Sequence, residues 1–358
     1  MRIKKALFLG TLCTAVSGMS LFAQAGVSYA KSAEKTTEAA SSEEAESEEE
    51  TSEEVTYPIT IEHAFGETVI ESKPERIATI GWENQDTPLA LGVAPVGVSA
   101  ANYGMVTDNN LHPWTDEAFA DLGVEKPVVF DDVDGLDFEQ ISDCNPDVIL
   151  AAYSGMTQED YDTLSQIAPV IPYKEKAWQT SWREQTIENA EGMGMKPEGE
   201  KKVKEVEDLI AEKLEEYPQL EGIPTAFCWI SADDFSTFYV YLPTDPRAAH
   251  LLDLGLTLPE SVQKLAGETD DFNITVSREN ADQLDDIQLM VVYGDEDLLK
   301  SLQEDKLMSQ IPAIKNGAVA LVDSTSALAG ASTPSILSIP YEIDEYLQLL
   351  SDAAENIK

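Results

Sequence analysis

Two distant segments of the chain share one arrangement of polar and apolar residues. In residues 139–153 and again in residues 279–293, a Glu opens a short polar segment of helix-like composition, and an apolar run ending on a Tyr follows at the same spacing. Apolar runs bounded by polar turns predict strands that are covered on both faces, as in parallel α/β sheets. The repeat therefore predicts two similar lobes, each with its own α/β core, and a cleft between them in which a ligand can bind.

From Tyr57 onward, strand-like and helix-like segments alternate along the chain. The predicted strands cover 59–61, 68–70, 76–80, 95–98, 148–151, 170–172, 225–230, 237–242, 289–293 and 318–322, and the predicted helices cover 85–91, 136–142, 158–167, 247–254, 297–304 and 334–354. The first two strands flank Ala64-Phe65-Gly66 and predict a hairpin. Alternation of this kind favours an α/β fold with mostly parallel sheets. A chain of 358 residues is long enough for two such cores.

One amphipathic helix near the middle of the α/β region differs from the rest. Between Pro197 and Pro218, apolar residues recur at intervals of three and four, at Val203, Val206, Ile210, Leu214 and Tyr217. We predict a helix of about twenty residues, roughly 30 Å long, which Pro218 ends. A flexible linker would be rich in Gly and Ser, so this segment predicts a stiff connection between the lobes. The predicted organisation is an N-terminal lobe at 56–180, a hinge segment with the bridging helix at 181–220 and a C-terminal lobe at 221–358.

The first 30 residues have the composition of an export signal. Arg2, Lys4 and Lys5 precede an apolar stretch that begins at Ala6, and small residues near its end suit a signal peptidase. A transmembrane anchor is the alternative, but several polar residues and glycines dilute the apolar run. Cys13 fits a lipidation site poorly. We therefore expect an exported, extracytoplasmic protein whose mode of anchoring stays open.

The chain is strongly acidic, both in the segment 31–55 and over the rest of its length. The segment consists mainly of Ser, Thr, Ala and Glu and has no aromatic residue, which predicts a disordered acidic tether. The chain has a formal net charge of −44, and residues 56–358 alone carry 57 acidic and 18 basic residues. Such a surface repels nucleic acid and anionic lipid, so we expect neither as a partner.

Motifs for catalysis or for direct metal binding are missing from the sequence. There is no G-x-S-x-G, no H-E-x-x-H and no C-x-x-C, and the three His residues, at 63, 112 and 250, have no spacing that joins two on one helix face. Cys144 and Cys228, one in each predicted lobe, are expected to be buried free thiols. We therefore expect neither a catalytic nor a metal site, although an exported enzyme remains an alternative.

Several long segments resemble a known family. They are IEHAFGETVIESKPERIATIGW and LALGVAPVGV near the start, then LDFEQISDCNPDVILAAYSGMTQEDYDTLSQIAPVIPY, AWQTSWREQT, YVYLPTDPRAAHLLDLGL and ITVSRENADQL. The chain resembles the siderophore-binding proteins of ABC importers, in the helical-backbone group of substrate-binding proteins that also includes cobalamin and haem binders. The likeness covers about residues 57–350, with one departure at Gln288, where the family commonly has Asp.

The resemblance implies the fold, the ligand and the partners. It implies two α/β lobes joined by one long helix, lobes that move little, and a ferric siderophore held between them without a further cofactor. In this family a Glu on each lobe contacts Arg residues of the membrane permease, and the matching positions are Glu139 and Glu279. The alternative for these two residues is that each only starts a helix, where a carboxylate is favourable. We expect a monomeric binding protein, not an enzyme, whose partners are a metal chelate and an ABC permease.

Ligands of open parallel sheets bind beyond the carboxyl ends of the strands, and large aromatic residues stand at those positions in this chain. Our predicted ligand contacts are Trp82, Tyr103, Trp178, Tyr241 and Arg247. Further candidates are Asn102, Tyr153, Trp182, Trp229, Tyr239 and Tyr293. The alternative for any one aromatic residue is packing in the core or at the rim.

The scarcity of basic residues bears on the ligand's charge. A ferric tris-catecholate carries a charge of about −3 and calls for a cluster of Arg or Lys. After Gly222, only Arg247 stands in a segment expected at the cleft, and Arg183 near the hinge is a further candidate. We therefore expect a neutral or weakly charged ligand, such as a hydroxamate-type ferric siderophore. Haem and cobalamin remain alternatives.

Overall fold

A computed structural model of the chain describes residues 55–132 and 135–358. The predicted export signal and all but the last residue of the predicted tether lie outside the described residues. Two five-stranded sheets and one two-stranded hairpin make up the β-structure of the described part. No helix in that part is both long enough and apolar enough to span a membrane.

The first sheet is parallel throughout and follows a hairpin. The elements are β1 (Ile59–His63), β2 (Gly66–Ile70), β3 (Ile77–Thr79), α1 (Asp86–Ala90), β4 (Gly97–Ser99), α2 (Pro113–Asp121), β5 (Val129–Phe130), α3 (Phe138–Asp143), β6 (Val148–Ala151), α4 (Gln158–Leu164) and β7 (Val170–Pro172). Strands β1 and β2 pair antiparallel, and the sheet order is β5-β4-β3-β6-β7. Every residue of β3, β4 and β6 is buried, which is why these strands lack a polar face.

Two helices connect this sheet to the second one. They are α5 (Trp182–Gly192) and α6 (Lys196–Leu214), and α6 is the predicted bridging helix. It ends before Tyr217, because Glu215 caps it and a short 3₁₀ turn begins at Pro218. The apolar stripe of α6 belongs to a core cluster that continues into the second lobe, so the helix is packed along its length.

The second sheet mixes parallel and antiparallel strands. The elements are β8 (Thr225–Trp229), β9 (Thr237–Tyr241), α7 (Pro246–Asp253), α8 (Glu260–Ala266), β10 (Asn273–Ser277), β11 (Leu289–Tyr293), α9 (Glu296–Glu304), α10 (Pro312–Asn316), β12 (Val319–Val322), α11 (Ala327–Ala331) and α12 (Ser338–Ala354). The sheet order is β10-β9-β8-β11-β12. Strands β8, β11 and β12 pair in parallel, and β9 pairs antiparallel with both β8 and β10. The two-lobe α/β fold with one long helix is therefore confirmed, while the boundaries at 180 and 220 stay predictions.

The repeated sequence unit occupies equivalent places in the two sheets. Its apolar runs form β6 and β11, each the fourth strand of its sheet. Strand β6 lies between β3 and β7, and β11 lies between β8 and β12, all in parallel pairing. The carboxyl ends of both strands therefore carry a Tyr, Tyr153 and Tyr293, toward the region between the lobes.

Candidate functional site

A cavity of about 400 Å³ lies between the lobes and is lined mostly by aromatic residues. The lining consists of Trp82, Tyr103, Tyr153, Trp178, Trp229, Tyr241, Arg247, Phe272, Tyr293 and Thr333. All five of the predicted ligand contacts are in this set, together with three of the further candidates. The structure thus brings these residues together, and their contact with a ligand stays a prediction.

Trp82 forms part of the first-lobe wall, just after β3. Its backbone N–H donates to the carbonyl of Tyr153 at 3.1 Å, and its own carbonyl accepts a hydrogen bond from Gln185 at 2.8 Å. The indole Nε1–H is buried and has no hydrogen-bond partner among the described residues. A buried donor without a partner is costly, and the indole would have to turn toward the cavity for this N–H to reach a ligand acceptor.

Trp178 completes this wall in an unusual backbone conformation. Its φ is +61°, and its backbone N–H donates to the carbonyl of Ser154 at 3.2 Å. The indole packs edge-to-face on Tyr153, with ring centroids 5.3 Å apart. It also lies against Gly155, where an added Cβ would come within 2.5 Å of the indole nitrogen. The position of the Trp178 ring therefore depends on the missing side chain at residue 155.

Asn84 stabilises the first-lobe wall, a role that no sequence pattern predicted. Its amide group donates to the carbonyls of Ile80 at 2.7 Å and Tyr153 at 2.9 Å, while its oxygen accepts from the backbone N–H of Tyr153 at 3.1 Å. Asn189 also donates to that oxygen at 2.9 Å. A single buried amide thus joins the segments that follow β3 and β6 to α5.

The second-lobe wall is built around a buried ion pair. Arg247 donates from Nε to Asp245 Oδ1 at 2.8 Å and from Nη2 to Oδ2 at 2.7 Å, a bidentate pairing. Its Nη1 donates to the hydroxyl of Tyr241 at 3.2 Å, and the guanidinium lies 3.8 Å from the centre of that ring. Burial lowers the pKa of Arg247, and the pairing with Asp245 outweighs that effect and raises it overall.

Asp245 is positioned beside Arg247 because it caps the N-terminus of α7. Its side chain also accepts a hydrogen bond from the backbone N–H of Arg247 at 2.9 Å and so caps the helix, with Pro246 at the first helical position. The residue is fully buried. The Asp-Pro-Arg sequence therefore positions the cation and its counter-charge together.

Tyr103 reaches across the cavity from the loop after β4. Its ring meets the ring of Tyr293 edge-on, with centroids 5.3 Å apart. Two residues further on, the backbone N–H of Met105 donates to the carbonyl of Ser326 in the second lobe at 2.9 Å. Tyr103 is thus fixed between the lobes, although it belongs to the first.

The cavity lining has little net charge. Within the described residues, Arg247 is the one charged residue of the lining, and Asp245 neutralises it. The remaining polar groups are tyrosine hydroxyls, indole N–H groups and the Thr333 hydroxyl. The arrangement therefore favours an uncharged ligand that presents acceptor oxygens and apolar surface.

Three of the weaker candidates lie elsewhere. Asn102 lines a neighbouring cavity of about 290 Å³, which shares Trp82 and Trp178 with the first. Trp182 is buried, and its indole N–H donates to Asp253 at 3.0 Å, so it serves the core of the hinge region. Tyr239 is not in the lining and stacks on Trp229 at 5.5 Å. A position near a strand end therefore did not distinguish residues that line the main cavity from residues that lie outside it.

The two predicted docking residues are both exposed at the start of short helices. Glu139 lies in the first turn of α3, where Asp137 caps the helix, and Glu279 lies in a 3₁₀ helix (Arg278–Gln283) that Ser277 caps. Neither carboxylate forms an ion pair with the residues that the structure describes. Their contact with a permease stays a prediction.

The residues needed for a protein-bound metal are dispersed. Cys144 and Cys228 are buried free thiols, as predicted. Within residues 55–132 and 135–358, no group of three or more His, Cys, Asp or Glu side chains is placed to hold a metal ion. Burial raises the pKa of both thiols, which favours their protonated form.

The chain is similar to binding proteins of known structure. The family model described as periplasmic binding protein matches residues 77–325. The PiaA protein of Streptococcus pneumoniae TIGR4, solved in complex with ferrichrome, is 48% identical, with a TM-score of 0.81 over 84% of this chain and 100% of that one. A periplasmic solute binding protein of Mycobacterium smegmatis is 25% identical, with a TM-score of 0.66 over 83% and 99% of the two chains.

One further match concerns the fold alone. Staphylococcus aureus SirA, solved with staphyloferrin B, is 23% identical, with a TM-score of 0.63 over 84% of this chain and 99% of that one. No curated protein sequence matches the chain.

Proposed function

Because the chain belongs to the periplasmic binding protein family, we propose that it captures a ferric siderophore outside the cytoplasm and delivers it to an ABC permease for iron uptake. The likeness to ferrichrome-bound PiaA supports a ferric siderophore as the ligand, since it extends over all of that protein's length at 48% identity. In this proposal the protein carries out no reaction. Binding and release of the intact chelate are its whole task.

The charge balance of the cavity carries the proposal of a hydroxamate-type ligand. Three hydroxamates neutralise one ferric ion, whereas a tris-catecholate complex carries about −3. A trianion in this cavity would need cationic partners, and Arg247 already satisfies Asp245. A neutral chelate leaves that pair intact. Ferrichrome, the ligand of PiaA, is a ferric hydroxamate of this kind.

The uncharged donors of the lining suit such a chelate. The hydroxyls of Tyr103 and Tyr153, which line the cavity, can donate to the hydroxamate and amide oxygens, and the unpartnered indole N–H of Trp82 can do so once the ring turns toward the cavity. Arg247 directs Nη1 toward Tyr241, beside the cavity, and adds one charge-assisted donor. The iron stays enclosed by the chelator, so that the protein contacts its ligands and not the metal.

Competitive titration tests this proposal. The full-length protein is titrated with ferrichrome, a ferric tris-catecholate, haem and cobalamin while tryptophan fluorescence is recorded. Quenching is expected because Trp82, Trp178 and Trp229 line the cavity. Ferrichrome should bind most tightly. Tighter binding of the catecholate would refute the charge argument, and a response to haem or cobalamin alone would refute the siderophore assignment.

A further inference from the structure

A buried Glu–His pair lies directly behind the cavity wall. Glu83 follows Trp82 in the chain and has a positive φ of +54°, which turns its side chain into the protein. Its Oε1 lies 2.8 Å from Nδ1 of His112, and both side chains are 2% exposed. The two atoms are close enough to form an ion pair, but they are not aligned for a hydrogen bond, and neither has another partner among the described residues. On its other side, His112 lies 2.9 Å from the carbonyl oxygen of Tyr103 through Nε2. The pair thus links Glu83, the neighbour of Trp82 in the chain, to the backbone of Tyr103.

The imidazole of His112 also fills the space between the lobes. Its ring lies 5.3 Å from that of Trp82 and stacks on Trp114 at 4.6 Å. An added Cβ at Gly330, in α11 of the second lobe, would come within 2.8 Å of Nε2. The imidazole is therefore held by packing on both sides and cannot rotate away from its two partners without displacing a neighbour.

Asp86 extends this cluster to the second lobe. Its carboxylate accepts hydrogen bonds from Trp114 at 2.9 Å, from Thr115 at 2.8 Å and from Ser335 at 2.5 Å. Ser335 stands just before α12. The carboxylate that holds Trp114, the ring stacked on His112, is thus the same one that bonds Ser335 of the second lobe.

The two contacts of His112, with Tyr103 and with Glu83, together require two protons. A carbonyl oxygen only accepts, so Nε2 of His112 must carry a proton to bond Tyr103. The contact between Nδ1 and Glu83 then needs a second proton, either on Nδ1 or on the carboxyl group. If that proton is lost, the imidazole retains one N–H for two acceptors, and one of the two contacts becomes repulsive.

We propose that His112 is a positioning residue of the ligand cavity, and that the proton it shares with Glu83 keeps Trp82 and Tyr103 in their ligand-binding arrangement. This rests on the proposed ligand site, because these two residues form part of its lining. Loss of the shared proton weakens either the support of the loop at Tyr103 or the anchoring of Glu83 beside Trp82. Ligand affinity therefore depends on a group that touches no ligand.

The surroundings of the pair keep the proton in place at neutral pH. Burial raises the pKa of Glu83 to about 8 and that of Asp86 to about 6. Burial lowers the pKa of His112, but the hydrogen bond and charge of Glu83 raise it overall. The titratable groups that face His112 are Glu83 and Asp86, and Tyr153 is near enough to Glu83 for its pKa to be raised in part by that charge.

The pH dependence of ligand affinity tests the proposal. The dissociation constant of the full-length protein for ferrichrome is measured between pH 6 and pH 9.5. It should rise by about fivefold above pH 8, the equivalent of one net hydrogen bond of about 1 kcal/mol. In Glu83→Gln the amide donates to Nδ1 without a titrating proton, so the rise should disappear.

A matched control separates the pair from burial in general. Burial also raises the pKa of Glu188, in α5, to about 8, and this residue does not line the cavity. Glu188→Gln should therefore keep the pH dependence of the unchanged protein. His112→Phe keeps an aromatic ring but loses the hydrogen bond to Tyr103 and the contact with Glu83, so it should bind about tenfold more weakly than the unchanged protein at neutral pH, with a smaller difference above pH 8.

A measurement without ligand distinguishes failure of this proposal from failure of the ligand assignment. The tryptophan fluorescence of the free protein should change near pH 8, because Trp82 packs on His112, and Glu83→Gln should remove that change. If ferrichrome does not bind but this transition is present and sensitive to Glu83, the positioning role stands and the ligand is wrong. A transition or an affinity profile that Glu83→Gln leaves unaltered would overturn the positioning role.

Discussion

Replacing Arg247 by Met should reduce stability and ligand affinity for two separable reasons. Met keeps much of the apolar volume, but it leaves the carboxylate of Asp245 fully buried without its bidentate partner. Removing one member of a buried ion pair costs about 3–5 kcal/mol. Arg247 is 19% exposed, so solvent relieves part of this, and we expect a loss near the lower limit, about 3 kcal/mol.

A second substitution separates the two effects. In the double variant Arg247→Met, Asp245→Asn, no charge is buried, and the Asn oxygen still caps α7 by accepting from the backbone N–H at residue 247. Stability should return to within about 1 kcal/mol of the unchanged protein. Affinity should stay reduced, because a charge-assisted donor at the cavity is still missing. Its loss is worth about 1.5–3 kcal/mol, or roughly ten- to a hundredfold.

Two measurements on the same samples decide the matter. Urea unfolding followed by tryptophan fluorescence gives the free energy of unfolding, with comparison limited to variants of equal m-value. Ferrichrome titration gives the affinity. The reasoning fails if Arg247→Met is as stable as the unchanged protein, or if the double variant recovers full affinity, since Arg247 would then serve the fold alone.

Three further predictions follow from other parts of the molecule. Glu139→Arg or Glu279→Arg should abolish iron uptake by cells and leave ferrichrome affinity unchanged, because charge reversal at a docking contact costs about 3 kcal/mol or more. Cells with the control variant Glu212→Arg, on the exposed side of α6, should take up iron normally. Asp245→Asn should improve affinity for a ferric tris-catecholate relative to ferrichrome, because it leaves the cavity cation uncompensated; an unchanged ratio in parallel titrations would contradict this. Burial raises the pKa of Glu83 from 4.5 to about 8, so between these pH values the folded chain holds a proton that the unfolded chain releases. The free energy of unfolding should therefore fall as pH rises through this range. Urea unfolding of Glu83→Gln at several pH values should lack this pH dependence.

Elements whose hydrophobic pattern is long or repeated were predictable from the sequence. The repeated unit, the bridging helix and the alternation of strands and helices were sufficient for the α/β fold, and the family resemblance is confirmed by the match over residues 77–325. Helices α2 and α5 were missed, since their polar and apolar positions give no clear helical stripe. Strand β10 was missed too, because its position at the edge of the sheet leaves most of its residues only partly buried.

The site was predictable only where its residues lie in the segments that follow the carboxyl ends of the strands. The aromatic residues and Arg247 could be selected in that way, and they do meet in one cavity. The Glu83–His112 pair and the bond between Asp86 and Ser335 could not, because the latter residues are 249 positions apart in the sequence. Buried polar contacts of this kind depend on which surfaces meet after folding, and the local pattern carries no information on that.

The packing of α6 has a consequence for the range of chelates that the protein accepts. Val203, Val206 and Ile210 are buried in a core cluster that includes α12 residues such as Ile343, and exposing each of them to water would cost about 1.5–3 kcal/mol. We therefore expect the spacing of the lobes to be largely set before any ligand arrives. In that arrangement the width of the cavity selects the chelate by size: a small chelate would make few contacts with the walls, a large one would not fit, and no closing movement of the lobes would be needed.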